Sequence, residues 1–449
     1  MALTDVEIEH ILVALVAILV AAHGCGHLFA RFRQPPVIGE IIGGLLLGPT
    51  LFGRLFPAEQ AALFPREGPT PIVLGAIYQL GLLLLMFAAG AEIRSVFHRG
   101  ERRTAVAITA SGTVLPFLAG LLFLQLVDAR RFYGDAGNST AFLLVFAIAI
   151  AVTSIPVISR IMFDLGIIGT SFARVVLTAA VIEDVVLYVV LAIALGLVRV
   201  EQGGEVGVAG LLGFGGDSSL GIAYHVVVTI AFFAFFLRLG PRLLRAALRF
   251  RYNFLNFASP IAFELAFVFA VTAICIVLGV SGFLGAFVAG IVTSNASDDP
   301  GRDRTAIKNF SFAFFIPVYF GIVGLRLDLV HGFDPAFFLL FFAFACAAKA
   351  LSVYGGARIA GESRFAATNL AVAMNARGGP GIVLATVAFD AGIVDEGFYA
   401  TLVLLVVITS LAAGTWLEWA IRTGRPLREP AADPVPIVTP EPREPLPAP

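Results

Sequence analysis

Apolar residues run through this chain in long blocks, too continuous for the two-residue alternation of a half-buried strand or the single stripe of a soluble helix. A membrane-crossing helix needs about 20 predominantly apolar residues. Thirteen blocks meet or approach that length, near 8–30, 36–51, 72–93, 103–127, 139–163, 171–198, 222–247, 260–279, 282–298, 308–328, 334–360, 364–390 and 396–422. The pattern predicts an all-α polytopic membrane protein with about 13 transmembrane helices, joined by connections too short to hold a folded soluble domain. The first block follows Asp5, Glu7 and Glu9, with no basic leader and no small-residue cleavage motif, so it is expected to be a retained helix.

Charge in the connections alternates with the blocks. One set carries Arg31 and Arg33, Arg94 to Arg103, Arg160 and Arg174, Arg238 to Arg251, Arg302 to Lys308, Arg358 and Arg364, and Arg422 to Arg428. The alternate set carries only Arg54, Arg66, Arg130, Arg131, Arg199 and Arg326. Lys and Arg favour the cytoplasmic side. An odd span count with the N-terminus outside and the C-terminus in the cytoplasm of a cell (inner) membrane is therefore expected.

Composition agrees with the pattern. Hydrophobic residues make up 59% and charged residues 14%, against about a quarter charged in soluble domains, and mean hydropathy is +0.93. A soluble enzyme or binding module is excluded on these grounds, and a net charge of −1 gives no reason to expect a nucleic-acid partner. Cys25, Cys275 and Cys346 fall inside predicted spans without paired spacing and read as small buried hydrophobes.

Charges inside the blocks carry the chemistry. Leu177–Leu195 carries no charge except Glu183 and Asp184 near its centre, where one carboxylate costs about 2.5–3.5 kcal/mol to insert and marks an ion or proton site by default. Lys349, one of two lysines beside 28 arginines, interrupts Phe337–Tyr354 and is a partner for an acidic group. Asp184 is the candidate that takes either a monovalent cation or a proton, so that each ligand expels the other. Glu183 points about 100° away around the helix and is expected to pair with Lys349. Arg377, charged at any working pH, is expected to supply fixed positive charge or to bind carbonyl ends. Glu40 is a weaker candidate for an ion-funnel residue. His23 and His27 in HGCGH stand one turn apart, but their glycines and apolar surroundings favour helix packing over a metal pair.

The chain also repeats itself. Ile38–Gly44 can be laid on Leu284–Gly290, matching two glycines five residues apart, and Gly90-Ala91-Glu92-Ile93 on Gly324-Leu325-Arg326-Leu327. An offset of seven spans inverts the second copy, giving repeats of about 8–198 and 260–422 with 222–247 as linker helix. Residues 1–422 are thus expected to form one transmembrane domain. The same offset pairs two interruptions, Thr153-Ser154-Ile155-Pro156 and Asn375-Ala376-Arg377-Gly378-Gly379-Pro380. Paired interruptions of this kind mark transporter sites, because unwound backbone frees carbonyls and half-helix ends carry partial charge. Thr153 and Ser154 would then complete the oxygen shell of a cation at Asp184. Residues 423–449, rich in proline, are expected to form a disordered cytoplasmic tail without a nucleotide-binding fingerprint, and the glycine-rich Glu201–Gly221 loop is expected to be flexible and outside.

These residues resemble the monovalent cation/proton antiporters, in particular the bacterial Kef-type and NapA-type transporters and the plant cation/H⁺ exchangers. The resemblance runs over about 8–422. It is carried by Thr153–Arg160, similar to TxFPVLxR, by the acidic pair, by Lys349, and by Met374–Gly378, similar to MNxRG. It implies a secondary-active antiporter, not an enzyme, exchanging Na⁺ or K⁺ for H⁺ by alternating access, without a cofactor. It places the ion-binding aspartate on Asp184, its acidic neighbour on Glu183, the lysine on Lys349, and further coupling groups on Arg377 and Asn375. A homodimer in the lipid bilayer, with a panel and a moving core in each protomer, is also implied. The Glu-Asp pair departs from the usual Asp-Asp but keeps its charge, which leans towards electrogenic exchange. A cation channel of the same fold, or an organic-anion carrier using Arg377 or Lys349, is the alternative.

Overall fold

A computed structural model describes residues 3–32, 34–91, 101–201, 219–250, 253–296, 302–424 and 426–428. The described helices in chain order are α1 (Asp5–Arg31), α2 (Pro36–Leu47), α3 (Phe52–Leu55), α4 (Pro57–Leu63), α5 (Pro69–Ala91), α6 (Arg102–Leu126), α7 (Ser139–Ala151), α8 (Ile155–Asp164), α9 (Ser171–Glu201) and α10 (Ser219–Arg249). They continue as α11 (Phe254–Ala258), α12 (Pro260–Val277), α13 (Gly282–Ala296), α14 (Arg302–Phe310), α15 (Ile316–Leu325), α16 (Pro335–Ala360), α17 (Arg364–Ala373), α18 (Gly378–Asp390) and α19 (Glu396–Arg422). Helices account for nearly all regular structure among the described residues, with one isolated antiparallel bridge between Tyr133 and Val394.

Among the described residues, eleven helical stretches are long and apolar enough to cross a bilayer, against the thirteen predicted. The difference has a local cause. The predicted 139–163 span is cut into α7 and α8 by extended backbone at 152–154, and the span near 282–298 is reduced to the 15 residues of α13.

The helices pack in two groups. In the first, α2 lies against α1 and α15, and α5 against α13 and α15; in the second, α6, α7, α9 and α16 pack together around α8, α17, α18 and α19. The 364–390 stretch is the most enclosed, with 94% of an 18-residue window buried against 22% for Pro260–Val277. The interrupted helix therefore sits at the centre of its group and α12 at an exposed edge.

Glycine sets the packing of the first group. A Cβ on Gly44 would lie 1.9 Å from Gly321 O and 2.9 Å from Leu325 N, and one on Gly290 would lie 2.2 Å from Phe87 O and 2.8 Å from Ala91 N. Reciprocally, a Cβ on Gly324 would lie 1.9 Å from Ile41 O and one on Gly90 2.0 Å from Phe287 O. The register that lays Gly44 on Gly290 and Gly90 on Gly324 carries one set of contacts onto the other. Small residues let helix backbones approach where lipid offers no competing hydrophobic drive. Glu92 and Ile93, the end of that alignment, lie outside the described residues.

One boundary is amended. The tail does not lose order at 423: Thr423 and Gly424 close α19, and Pro426 to Arg428 dock on the helices. There Leu427 is buried, its carbonyl accepts from Asn369 Nδ2 at 3.1 Å, and Arg428 bonds Glu362 at 2.8 Å. Arg425, residues 429–449, Arg94, Arg99 and residues 202–218 of the glycine-rich loop lie outside the described residues. His23 and His27 do not share a partner: His23 Nε2 meets Ala313 O at 2.9 Å, at a π-helical turn over Ser311–Phe315.

Candidate ion-binding site

The site is built where the two interrupted helices cross. Helix α7 stops at Val152, which is extended like Ser154 two residues on; α8 restarts with the Ser154 side chain accepting from Val157 N at 3.4 Å and proline in its first turn. Helix α17 ends at Ala373, and α18 begins after Arg377 at Gly378, whose φ of +37° suits glycine. A Cβ on Gly378 would also fall 2.4 Å from Ser154 Oγ and 2.3 Å from Val157 Cγ2, so glycine is required there on both counts.

The unwound segments satisfy one another. Ser154 N donates to Ala376 O at 2.7 Å, and Thr153 Oγ1 donates to Met374 O at 2.5 Å. The last turn of a helix leaves carbonyls unpaired and carries partial negative charge. Two buried cations meet that need at the end of α7. Arg377 donates from Nε to Ala149 O (3.3 Å), from Nη2 to Ile150 O (3.2 Å) and Ala345 O (3.0 Å), and from Nη1 to the Asn375 side chain (3.2 Å). Lys349 takes the next carbonyl, Ala151 O.

Lys349 is fully buried and spends its donors on three partners: Ala151 O, Gly112 O at 2.9 Å, and the Glu183 carboxylate at 2.7 and 2.8 Å. This matches the three protons of an ammonium. Gly112 makes room for it, since a Cβ there would lie 3.3 Å from Glu183 Oε1 and 2.8 Å from Val353. Asp184 follows on α9, 0% exposed. Ile155, which opens α8, packs with Ala180 and Val181, so the α8 N-terminus lies within a turn of Asp184 along α9. Tyr188, one turn further on the Asp184 face, is buried edge-on against Phe287 with ring centroids 4.6 Å apart. Its i+4 spacing from Asp184 is the signal by which the sequence could have shown it.

Sequence reasoning thus named Glu183, Asp184, Thr153, Ser154, Lys349, Arg377 and Asn375, and all lie in or beside one buried layer. It missed Gly112, which looks like any membrane glycine, and the contacts that join the two helix groups. On the side of Arg31 and Lys308, the groups part around a cavity of about 560 Å³, lined by Pro36, Glu40 and Leu85 of the first group, Val157 and Gly379 of the second, and Lys308. At the other end they are joined. Arg326 Nη1 bonds Asp390 Oδ1 at 2.6 Å, Tyr78 donates to Asp390 Oδ2 at 2.9 Å, and Tyr319 meets Thr386 at 2.8 Å.

A buried acidic layer at the crossing of two interrupted membrane helices, with a cavity between the helix groups on one side and polar contacts joining them on the other, defines a secondary transporter. The sodium/hydrogen exchanger transmembrane family matches residues 11–423, and the chain belongs to that family. It is 27% identical over 406 residues to the Na⁺/H⁺ antiporter NhaS4 of Synechocystis, covering 89% of this chain and 94% of that one. Bacillus cereus GerN, an Na⁺/H⁺-K⁺ antiporter, is 23% identical and 95% covered. For Saccharomyces cerevisiae K⁺/H⁺ antiporter 1 the identity is 28%, and the chain spans 43% of its length. The solved sodium/proton antiporter MjNhaP1 of Methanocaldococcus jannaschii shares the fold, with a TM-score of 0.53 at 16% identity over 92% of this chain and 98% of that one.

Proposed function

We propose that this chain exchanges Na⁺ or K⁺ for H⁺ across a cell membrane by alternating access, the two ligands competing for Asp184. The observation that carries this reading is the burial of Asp184 beside a carboxylate already held by Lys349. Glu183 is engaged by the ammonium, and Asp184, the next residue on the same buried helix, is the acidic group proposed to titrate against an incoming cation. A carboxylate that binds H⁺ cannot hold an alkali ion on the same oxygens, and that exclusion couples the two flows. Thr153 and Ser154 present oxygen atoms in the same layer, the ligand type hard cations prefer. Arg377 and Asn375 hold the crossing in shape, and the fixed charge on Glu183 supports electrogenic exchange.

Alternating access needs one end of the seam between the helix groups to open as the other closes. The cavity at the Lys308 end and the Arg326–Asp390 contact at the other fit an inward-facing state, if the arginine-rich connections are cytoplasmic as the charge distribution supports. Exposed apolar side chains such as Ile359, Leu351 and Phe257 suit a lipid bilayer, and a homodimer is part of the proposal.

Reconstitution into proteoliposomes tests it. With a pH-sensitive dye inside, Na⁺ or K⁺ gradients should drive proton movement in the wild type, and Asp184→Asn should abolish it. Retained cation-driven proton flux in that variant would overturn the assignment, and cation flux without proton counterflow would favour a channel.

A further inference from the structure

Glu40 lies outside the crossing and has no part in the exchange site described above. It stands one turn into α2, which starts at Pro36, and its stem is held close to α1: a Cβ on Gly26 would lie 3.4 Å from Glu40 Cγ. The residue is 9% exposed, and Oε2 is buried without a hydrogen-bond partner among the described residues. It supplies the only carboxylate in the described lining of the 560 Å³ cavity. Burying an acidic group with an unmet oxygen is costly in protein and in membrane alike, so a ligand that meets that oxygen offsets part of that cost.

The lining decides which ligand. Apart from Glu40, its polar side chains are Ser159, Asn309 and Lys308, and the rest is largely apolar, including Pro36, Leu85 and Phe312. The volume holds a cation with several waters, at about 30 Å³ per water. Too few fixed oxygens are present to strip a hard cation completely. Lys308 contributes an ammonium 5.8 Å from the Phe312 ring centroid, a positive charge that opposes an arriving cation. The inner wall is formed by Val157 and Gly379, and Val157 also meets Gly378 at the crossing, so the chamber ends where the Asp184 layer begins.

We propose that Glu40 is a second cation-binding carboxylate, a staging site that takes a partly hydrated monovalent alkali cation in the chamber before it reaches Asp184. The direction of traffic rests on the exchange reading; the binding does not.

Two measurements separate them. In proteoliposomes, Glu40→Gln should raise the apparent KM for Na⁺ or K⁺ on the chamber side about five- to tenfold while leaving the maximal rate within about twofold, and Glu40→Asp should stay near wild type. Independently of transport, Val37, in the same lining, is replaced by cysteine in a background with Cys25, Cys275 and Cys346 changed to serine. Modification rates are compared for trimethylammonium-ethyl and neutral hydroxyethyl methanethiosulfonate. The cationic-to-neutral ratio should fall about fivefold with Glu40→Gln and rise with Lys308→Gln, and Na⁺ or K⁺ should slow only the cationic reagent, only when Glu40 is present. A ratio indifferent to Glu40, or a maximal rate that collapses as for Asp184→Asn, overturns the staging site. A ratio that responds in a protein that moves no protons supports the staging site and refutes the exchange reading alone. Should Glu40→Gln fail to elute as a monodisperse protein, the slowing of the cationic reagent by Na⁺ or K⁺ with Glu40 in place decides, and its absence overturns the staging site.

Discussion

The two ends of the seam between the helix groups are built from opposite materials. At the Glu40 end, α2 and α5 stand away from α8 and α18, and the space between them is walled largely by apolar side chains around one carboxylate and one ammonium. At the Arg326 end the same groups are bridged by charge and hydroxyl: Arg326 and Tyr78 both reach Asp390, Arg326 also sits 4.6 Å over the Tyr78 ring, and Tyr319 meets Thr386. Apolar walls part without leaving polar groups unmet, whereas the bridged end must rehydrate an arginine and an aspartate, 33% and 27% exposed, before it opens. A half-exposed ion pair is worth little enough to break on a transport timescale. The fully buried Glu183–Lys349 pair between the two ends is of another kind. It joins helices of one group only.

The largest effect should come from that buried pair. Lys349→Ala leaves Glu183 charged in the interior and unpairs Ala151 O and Gly112 O, a loss of about 3–5 kcal/mol for a broken buried ion pair. Thermal unfolding in detergent should show the lowest midpoint of any variant discussed, and Glu183→Gln combined with Lys349→Met should recover much of it. Equal midpoints for the single and double variants would mean that packing around Gly112, not charge, sets stability there.

A smaller effect is expected at the bridged end. Arg326→Gln removes the 2.6 Å contact while leaving Tyr78 on Asp390. A shift of about tenfold in favour of the state open at that end, or about 1.4 kcal/mol, is expected. In the cysteine-free background a cysteine at Thr386, fully buried behind the bridge, should be labelled about tenfold faster from the Arg326 side. Unchanged labelling would remove the bridge from the account of how that end stays shut.

The difference between the ends also marks what the sequence could reveal. Glu183, Asp184, Lys349 and Arg377 announce themselves because a charge inside an apolar block is expensive wherever the block goes. The two helix breaks were legible as well, from Thr153 to Pro156 and from Asn375 to Pro380, since glycine and proline act locally. Asp390, Arg326 and Tyr78 are at or near span ends, where charged and aromatic residues are ordinary, and only the fold brings positions 312 and 64 residues apart together. The count of long apolar helices falls below thirteen for a related reason. Hydropathy runs on through 152–154, where the backbone unwinds because protein partners such as Ala376 O and Met374 O receive it.

The smallest effect should come from Arg131, which tests whether position in the seam or mere charge makes Arg326 matter. Arg131 bonds Asp334 at 2.9 Å, with side chains 55% and 31% exposed, and lies 4.6 Å over the Phe132 ring. Its partner caps α16 through the Phe337 amide, and the α6 that precedes Arg131 packs on α16, so both charges ride on the same helix group. An exposed pair of this sort contributes about 0–1 kcal/mol, and breaking it exposes nothing between the groups. Arg131→Gln should therefore shift the unfolding midpoint slightly, leave cation-driven proton flux at the wild-type rate, and leave labelling at the Thr386 cysteine unchanged. If it instead speeds that labelling as much as Arg326→Gln does, the general charge of that face governs access, and the bridge across the seam is no more than one of its salt pairs.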